Sequence, residues 1–342
     1  MTCLMSPSSS SVLGPCAETH AGPSSQPVGL PSVRGFDPVQ RLADLMAKGQ
    51  GLPPVRCAVV HPCDEQALQG AVDAAARGLI EPVLVGPQER IRSLADAARL
   101  DIGAFRLVST AHSHDSAELS ARLAAAGEVE GLMKGSLHTD ELMLAVLAQP
   151  GLRTKRRLSH VFRFDVPMYD KPLLITDAAL NIHPGLLEKV DIVQNAIDLA
   201  RMLGCSEPRV AILSAVETVN PSIPSTLDAA ALCKMAERGQ ISGGLLDGPL
   251  AFDNAISPEA ARIKGIDSAV AGQADILVVP DLESGNMLSK QLQYLAGASS
   301  CGVVLGARVP IALTSRADGA AARMASALLV QLIAHHYRLQ RP

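Results

Sequence analysis

Short apolar runs alternate along most of the chain with longer segments in which apolar residues recur every three or four positions. The short runs predict β-strands, and the longer segments predict amphipathic helices. The predicted strands cover residues 56–60, 82–86, 105–109, 130–135, 172–177, 209–213, 244–248, 274–280, 301–306 and 309–314. Helices are predicted after nearly all of these strands, among them residues 64–78, 115–127, 139–149, 186–204 and 318–337.

The predicted strands are apolar throughout, and this is typical of parallel strands that helices cover on both faces. Residues 151–172 interrupt the alternation, with little helical spacing and six Lys or Arg residues between Arg153 and Lys171. We interpret this stretch as a crossover between two sheets, because ten strands in one open sheet would be unusual. The predicted fold class is α/β, with two αβα domains, mostly parallel sheets and a cleft between them.

The alternation and the crossover also predict where the domains begin and end. Residues 35–157 together with 312–342 are assigned to the first αβα domain, and residues 158–311 to the second. Residues 1–34 are rich in Ser, Pro and Gly, and this composition predicts a disordered leader. In parallel sheets, ligands bind beyond the carboxyl ends of the strands. Candidate chemistry is therefore sought in the loops that follow the strands.

Composition and charge narrow the function classes. Hydrophobic residues make up 48% of the chain but aromatic residues only 2%, so the core must consist of Ala, Val, Leu and Ile. The net charge of −4 gives no basic surface for nucleic acid or an anionic membrane. No apolar run approaches the roughly 20 residues of a membrane helix. Seven cysteines without metal-ligand spacing indicate reduced thiols in a cytoplasmic protein.

The stretch IALTSRADG places a hydroxyl, a guanidinium and a carboxylate between a strand and a long helix. Free amides and the positive end of the helix dipole favour an anion there, and Arg316 can bind a phosphate through two donors. Ser315 adds a hydroxyl donor. Alternatively, Ser315 or Asp318 caps the helix. The two interpretations are compatible, because a cap and an anion site use the same amides.

The stretch MKGSLHTDEL also lies between a strand and a helix. Lys134 and Gly135 lie at the end of the strand and are candidates for the CoA-binding cleft. Ser136 and Thr139 offer small polar groups that suit a phosphate. The alternative is that Thr139 is only the helix N-cap.

Three further strand ends carry polar residues. The loop PDLESGN follows a strand and contributes Asp281, Gly285 and Asn286 as cleft candidates, but its carboxylates form no cluster that predicts a metal site. Asp177 and Asn181 follow another strand. Dinucleotide, P-loop and nucleophilic-serine motifs do not occur in the sequence. A turn after a strand gives Asp247 a position facing the cleft, or a role in the turn alone.

Five stretches in this order resemble the phosphate acetyltransferase / phosphate butyryltransferase family, over roughly residues 36–340. They are MKGSLHTDELM, ITDAALN, LLDGPLAFDNAIS, PDLESGNMLSKQL and VPIALTSRADG. The resemblance implies reversible acyl transfer, in which acyl-CoA and phosphate give acyl phosphate and CoA by direct attack in a ternary complex. It implies CoA as a substrate, no tightly bound cofactor, small molecules as the only other partners, and a homodimer. The implied fold is that of isocitrate and isopropylmalate dehydrogenases.

The resemblance also implies residue roles. Ser315 and Arg316 match the Ser-Arg pair with which the family binds phosphate and polarises the carbonyl. Acetyl-type members carry a catalytic aspartate six residues after that arginine, where this chain has Ala322. Asp318 is the nearest carboxylate, and it either accepts the thiol proton or orders the loop. Family members use further arginines for CoA, and four arginines lie in the expected region: Arg153, Arg156, Arg157 and Arg163.

Two alternatives remain open from the sequence. An NAD-dependent decarboxylating dehydrogenase has a similar architecture, but it needs metal-binding aspartates and an arginine cluster that these loops do not supply. A non-catalytic acyl-CoA or acyl-phosphate binding protein is the second alternative, and Ala322 is the residue that favours it.

Overall fold

The structure is a computed structural model that describes residues 36–314 and 318–342. The leader predicted over residues 1–34 lies outside the described residues, as do Ser315 and Arg316. None of the helices within the described ranges is long and apolar enough to cross a membrane.

The described residues form eleven strands and eleven α-helices in an alternating order. The strands are β1 Val55–Val60, β2 Ile80–Gly86, β3 Arg106–Ser109, β4 Gly131–Lys134, β5 Ser159–Asp165, β6 Leu173–Thr176, β7 Arg209–Leu213, β8 Leu245–Leu250, β9 Ile276–Val278, β10 Ser299–Leu305 and β11 Ile311–Ala312. The helices are α1 Pro38–Ala47, α2 Glu65–Ala76, α3 Gln88–Ala98, α4 Ser113–Ala125, α5 Thr139–Ala148, α6 Leu186–Met202, α7 Pro224–Glu237, α8 Phe252–Ile256, α9 Pro258–Ile263, α10 Leu282–Tyr294 and α11 Ala320–Leu339. A 3₁₀ turn covers Pro150–Leu152.

Each of the ten predicted strands corresponds to an observed strand, but β5 was not predicted. It lies inside the stretch that the sequence analysis assigns to a crossover, so that assignment is wrong for residues 159–165. The charged residues Arg163 and Asp165 hid the strand, because they break its apolar run. They are two positions apart, so they point to the same face of the strand, where they pair with each other.

The strands form one sheet, in the order β3-β2-β1-β4-β11-β10-β5-β6-β9-β7-β8. The expectation of two separate sheets is therefore wrong. The neighbours on each side of the centre are parallel, but β10 is antiparallel to both β11 and β5, and β5 is antiparallel to β6. The sheet is thus mostly parallel within each half, and the two halves run in opposite directions. The division into two domains stays a prediction.

The pairing register aligns the strand ends of both halves along one row of paired residues that crosses the sheet at right angles to the strands. This row runs through Val59, Met133, Ala312, Val303, Val161, Thr176 and Val278. Strands β11, β6 and β9 end on the row, and β1 and β4 end one residue beyond it. The loops after β1, β4 and β11 therefore leave the row in one direction, and those after β6 and β9 leave it in the other.

The apolar core differs between the two faces of the sheet. On one face a single large cluster spans both halves and includes residues of α2, α6, α7 and α11. On the other face there are two clusters, one with residues of α4 and α5, and one with residues of α8, α9 and α10. Between these two clusters β5 and β10 present His160, Phe162 and Gly302.

We predict that Gly302→Ala destabilises the centre of the sheet. An added Cβ would lie 2.5 Å from His160 Nε2 and 3.1 Å from the Leu313 carbonyl oxygen. Overpacking of this kind costs about 1–3 kcal/mol of unfolding free energy, which urea denaturation measures. Gly185→Ala is the matched control, because its Cβ would meet its nearest atom only at 4.0 Å. Equal unfolding midpoints for the two variants would contradict the close packing at Gly302.

Candidate functional site

The loops after β1 and β4 are joined by backbone contacts. A side chain at Gly135 would place a Cβ 2.6 Å from the His61 carbonyl oxygen, so only glycine fits there. The Ser136 hydroxyl donates to this oxygen at 2.9 Å and accepts from the Cys63 amide at 3.1 Å. Ser136, a predicted phosphate ligand, therefore ties the two loops together.

Lys134 and Thr139 lie on either side of this junction. Lys134 is buried at the end of β4, and its ammonium donates to the Gly135 carbonyl at 3.3 Å. Thr139 is the first residue of α5, whose N-cap position is occupied by His138. The alternative in which Thr139 caps this helix is therefore wrong. Glu141 accepts from the His138 amide at 2.9 Å and so satisfies one of the free donors at this helix start.

The N-cap residue of α11 is Gly319, which has extended backbone torsions and no side chain to cap the helix. The alternative in which Ser315 or Asp318 occupies the N-cap position is therefore wrong. Asp318 precedes the cap and is partly buried. The first amides of α11 thus receive no acceptor from the N-cap residue, and such amides bind anions well.

A buried arginine that the sequence analysis missed contacts both Thr314 and Asp318, the residues on either side of 315–317. Arg323 is 4% exposed. Its Nη1 donates to Thr314 Oγ1 at 3.1 Å, and its Nε donates to the Asp318 carbonyl at 3.2 Å. Its Nη2 reaches Gln66 Oε1 at 3.4 Å on α2. Helical spacing could have predicted that Arg323 is buried, because it shares a face of α11 with the buried residues Ser326 and Val330.

A pocket of about 470 Å³ lies beside the same loop. Asp318 and Ala322 line it, together with Arg163 and Asp165, whose side chains are each 7% exposed and form an ion pair. Cys301 also lines it, and burial raises the pKa of its thiol to about 12, although the Arg163 charge opposes this. Cys301 is therefore a protonated wall residue at neutral pH. Neither Asp165 nor Cys301 was a sequence candidate for the site.

His160 lies between the two clusters described above. Its exposure is 0%. Burial lowers its pKa to about 4, although the Asp177 carboxylate and a backbone hydrogen bond to Leu313 oppose this. The imidazole is therefore neutral at pH 7, and it packs edge-on against Phe162 with ring centroids 4.3 Å apart.

Asp177 and Asn181 do lie together, as their common position after β6 suggested. The Asp177 carboxylate accepts from the amides of Ala179 and Leu180, at 2.9 and 3.0 Å. Its other oxygen accepts from the His160 amide at 3.1 Å and from Asn181 Nδ2 at 2.5 Å. With four donors bound, this carboxylate orders the loop. Asp247 lies within β8, so the expected turn after the strand is wrong.

The predicted cleft residues of α10 have structural contacts. Asp281 is the N-cap, and its carboxylate accepts from the amide and the hydroxyl of Ser284. Burial raises its pKa, but these bonds outweigh it and the net pKa is lowered. Gly285 lets α10 approach β6, because a Cβ would lie 3.1 Å from the Asp177 carbonyl oxygen. Asn286 is exposed and donates to the Ala178 carbonyl at 3.3 Å.

The candidate residues form two groups that lie on opposite sides of the central row of strand ends, and the loop after β6 contacts both groups. Ala179 and Leu180 from this loop pack against the apolar cluster that contains Leu137 and Leu313. The residues Lys134 to Thr139 and Asp318 form one group beside β11. Asp281, Gly285 and Asn286 form the other, beside β6 and β9.

The four candidate CoA arginines lie in two places. Arg163 lines the pocket of about 470 Å³. The other three, Arg153, Arg156 and Arg157, line a separate cavity of about 540 Å³. Arg156 pairs with Asp198, and Arg157 pairs with Glu188 at 2.6 Å. Within the described ranges, groups of three or more metal-ligating side chains do not occur.

These features define an α/β protein with polar loops at the ends of its central strands, and the comparisons give its class. Residues 110–330 match the family model described as "Phosphate acetyl/butaryl transferase". The chain is 60% identical over 295 residues to a phosphate acetyltransferase of Rhizobium meliloti, covering 86% of this chain and 93% of the relative. It is 40% identical over 291 residues to a phosphate butyryltransferase of Clostridium acetobutylicum, covering 85% and 96%.

A solved structure agrees with these relatives. A branched-chain phosphotransacylase from Enterococcus faecalis V583 superimposes with a TM-score of 0.71 at 29% identity, covering 82% of this chain and 99% of that chain. The protein is thus an acyltransferase. It belongs to the phosphate acetyltransferase / phosphate butyryltransferase family, and the resemblance stated from the sequence is confirmed.

We predict that Arg323→Lys impairs turnover more than folding. Lysine keeps the charge but loses the fork that reaches Thr314 and the Asp318 carbonyl together. Misplacing a catalytic loop by about 1 Å costs up to roughly 100-fold in rate, so we expect kcat to fall about 10- to 100-fold.

Initial rates and thermal unfolding of the same preparations check this prediction. Arg262→Lys is the control, because Arg262 is exposed and pairs only with Glu259 three residues away. Unchanged kcat in Arg323→Lys would show that the loop does not depend on the guanidinium.

Proposed function

We propose that the protein catalyses the reaction of acyl-CoA with phosphate to acyl phosphate and CoA, in both directions, by direct attack in a ternary complex. The observation that carries the proposal is the position of buried Arg323, which joins Thr314 and Asp318, the residues on either side of 315–317. The helix that follows begins at an N-cap glycine, Gly319, which has no side chain to cap it. Family membership supports the same chemistry.

In the direction of acyl-CoA formation, the thiol of CoA must lose its proton before it attacks. We assign this proton to the Asp318 carboxylate. The thiolate forms a bond to the carbonyl carbon of the acyl phosphate, and the carbonyl oxygen becomes an oxyanion. Collapse of this intermediate breaks the bond to the phosphate oxygen and releases phosphate.

The phosphate has donors on several sides in this proposal. Arg316 binds it through two donors, Ser315 adds a hydroxyl, and the first amides of α11 add the positive end of the helix dipole. The ammonium of Lys134 adds positive charge, because β4 is the parallel neighbour of β11. Ser136 supports the proposed site by fixing the neighbouring loop, and Thr139 contributes the start of α5.

The proposal extends to the second substrate and to the rest of the cleft. CoA is a substrate, and Asp281, Gly285 and Asn286 border the far side of its site through their contacts with the loop after β6. A homodimer, a cytoplasmic location and the likeness to isocitrate and isopropylmalate dehydrogenases remain predictions. The binding-only alternative, which Ala322 favours in the sequence, does not agree with membership of an acyltransferase family.

The experiment that tests the proposal measures CoA release from acetyl-, propionyl- and butyryl-CoA, with and without phosphate, in the presence of EDTA. Phosphate-dependent release, with acyl phosphate trapped by hydroxylamine, is the expected result. Binding of CoA without phosphate-dependent release would overturn the proposal.

We predict that Arg316→Ala raises the KM for phosphate and lowers kcat, because it removes a charge-assisted pair of donors. Losses of about 100-fold or more in kcat/KM are expected from removing charged donors of this kind, each worth roughly 1.5–3 kcal/mol. The same assay over a range of phosphate concentrations measures the change. A variant with the kinetics of the parent protein would overturn the role of Arg316.

We predict that Asp318→Asn lowers kcat/KM for CoA at neutral pH in the direction of acyl-CoA formation and moves the rise of the profile to the higher pH at which the thiol of free CoA ionises. The amide is isosteric but cannot accept the thiol proton, so the rate should depend on the fraction of CoA that is already thiolate. Rates over a range of pH measure this. If activity and its pH dependence survive while the unfolding temperature falls, Asp318 only orders the loop.

A further inference from the structure

The loop after β6 is held by an arginine that the proposed reaction does not use. Arg157 lies two residues before β5, and its side chain is half-exposed. Its Nε donates to Asn181 Oδ1 in the loop, and its Nη1 pairs with Glu188 Oε1 at 2.6 Å near the start of α6. One guanidinium therefore contacts both the middle of the loop and the helix that follows it.

The contact with Arg157 orients the Asn181 amide, which is 5% exposed. Because the amide oxygen accepts from the guanidinium, the amide nitrogen faces inward. There it donates to the Leu158 carbonyl at 2.9 Å and to an Asp177 carboxylate oxygen at 2.5 Å. In the flipped orientation the amide oxygen would face these two groups, and neither has a hydrogen to donate. Arg157 therefore fixes the orientation in which Asn181 binds Asp177.

The Asp177 carboxylate connects this network to the backbone of the loop. It accepts from the amides of Ala179 and Leu180, at 2.9 and 3.0 Å. These two residues pack against the apolar cluster that contains Leu137, from the loop after β4, and Leu313, from the loop after β11. The position of the loop after β6 relative to these two loops therefore depends on the contacts of Asp177.

Glu188 and Asp191 hold the arginine in place from the side of α6. While Glu188 Oε1 pairs with the guanidinium, its Oε2 accepts from the amide of Gly185, the N-cap of α6, at 2.8 Å. The Arg157 amide donates to Asp191 Oδ2 at 3.0 Å, about one turn further along the helix. Both the side chain and the backbone of Arg157 are thus fixed to α6, and the arginine supports the loop from a rigid element.

We propose that Arg157 is a positioning residue for the CoA substrate, which acts through Asn181 and does not itself bind the phosphates of CoA. This inference rests on the proposed function, in which the loop after β6 contacts Gly285 and Asn286 at the border of the CoA site. Loosening the loop therefore weakens the use of acyl-CoA. The loops proposed to bind phosphate are held by other contacts, those of Ser136 and the buried arginine of α11, so the KM for phosphate does not depend on Arg157.

The test measures phosphate-dependent release of CoA from acetyl-, propionyl- and butyryl-CoA in the parent protein, in Arg157→Met, in Asn181→Ala and in the double variant. Methionine is unbranched like arginine but has no donor. Arg338→Met is the control, because it also removes an arginine–glutamate pair, with Glu130 at the end of α11. The Arg338 side chain is 42% exposed and that of Arg157 is 47% exposed. Thermal unfolding confirms that each variant is folded.

Arg157→Met and Asn181→Ala are each expected to lower kcat/KM for acyl-CoA about 10-fold or more, since a misplacement of about 1 Å costs up to roughly 100-fold. The KM for phosphate should stay within about 2-fold, and the double variant should match the weaker single variant within about 2-fold, the scatter of additive effects. A mere loss of folded protein would not separate the two substrates. If Arg157→Met has no effect, or has its full effect in the Asn181→Ala background too, Arg157 does not act through Asn181 and the proposal is overturned.

Failure of the proposed function would be seen separately, because the parent protein would then release no CoA in response to phosphate. Amide hydrogen exchange measures the loop without turnover, and it also decides the question if Asn181→Ala does not fold. Arg157→Met should accelerate exchange in peptides that cover residues 177–185 by about 10-fold through local opening, whereas Arg338→Met should leave them unchanged. Unchanged exchange in Arg157→Met would overturn the role of Arg157 whether or not the protein is active.

Discussion

The antiparallel pairing of β5 with β10 is the constraint on which the rest of the structure depends. Seven residue pairs, from Ser299 with Asp165 to Leu305 with Ser159, join the two halves of the sheet. Because this pairing reverses the direction of the sheet at its centre, strands from both halves end along one row. The loops after β11 and β6 consequently begin at the same level, on opposite sides of that pair.

Close packing on the same two strands leaves little freedom for substitution. Gly302 admits the buried His160 imidazole, because a Cβ at this position would lie 2.5 Å from His160 Nε2. The imidazole lies beside the backbone of Leu313, which leads into the proposed phosphate loop.

Buried charge is used twice around the proposed site, in two different ways. Arg323 is buried and donates to Thr314, Gln66 and the carbonyl of Asp318, so it joins the residues on either side of 315–317 to α2. Arg163 and Asp165 pair with each other where they line the pocket of about 470 Å³. A buried charge is costly unless it is paired, and both arginines have such partners.

The sequence by itself determined the elements whose signal is local. Apolar runs and helical spacing gave ten of the eleven strands near their observed positions, and five motifs in order gave the family. It also predicted that Lys134, Ser136 and Asp318 lie at or after the end of a strand, because the end of an apolar run can be read from neighbouring residues alone. Strand β5 was missed, because its two charges pair only in the folded strand.

Tertiary structure decided everything that depends on residues far apart in the chain. Whether the strands make one sheet or two depends on the pairing of β10 with β5, more than 130 residues away, and no periodicity encodes it. The helix caps at His138 and Gly319 depend on where each helix starts, to within one residue. The importance of Arg323 follows from its reach to Thr314 and α2, and that of Asp165 from its place in a pocket built by α1 and α11. Local periodicity specifies which face of an element is buried, but only the packed chain specifies which partner it meets there.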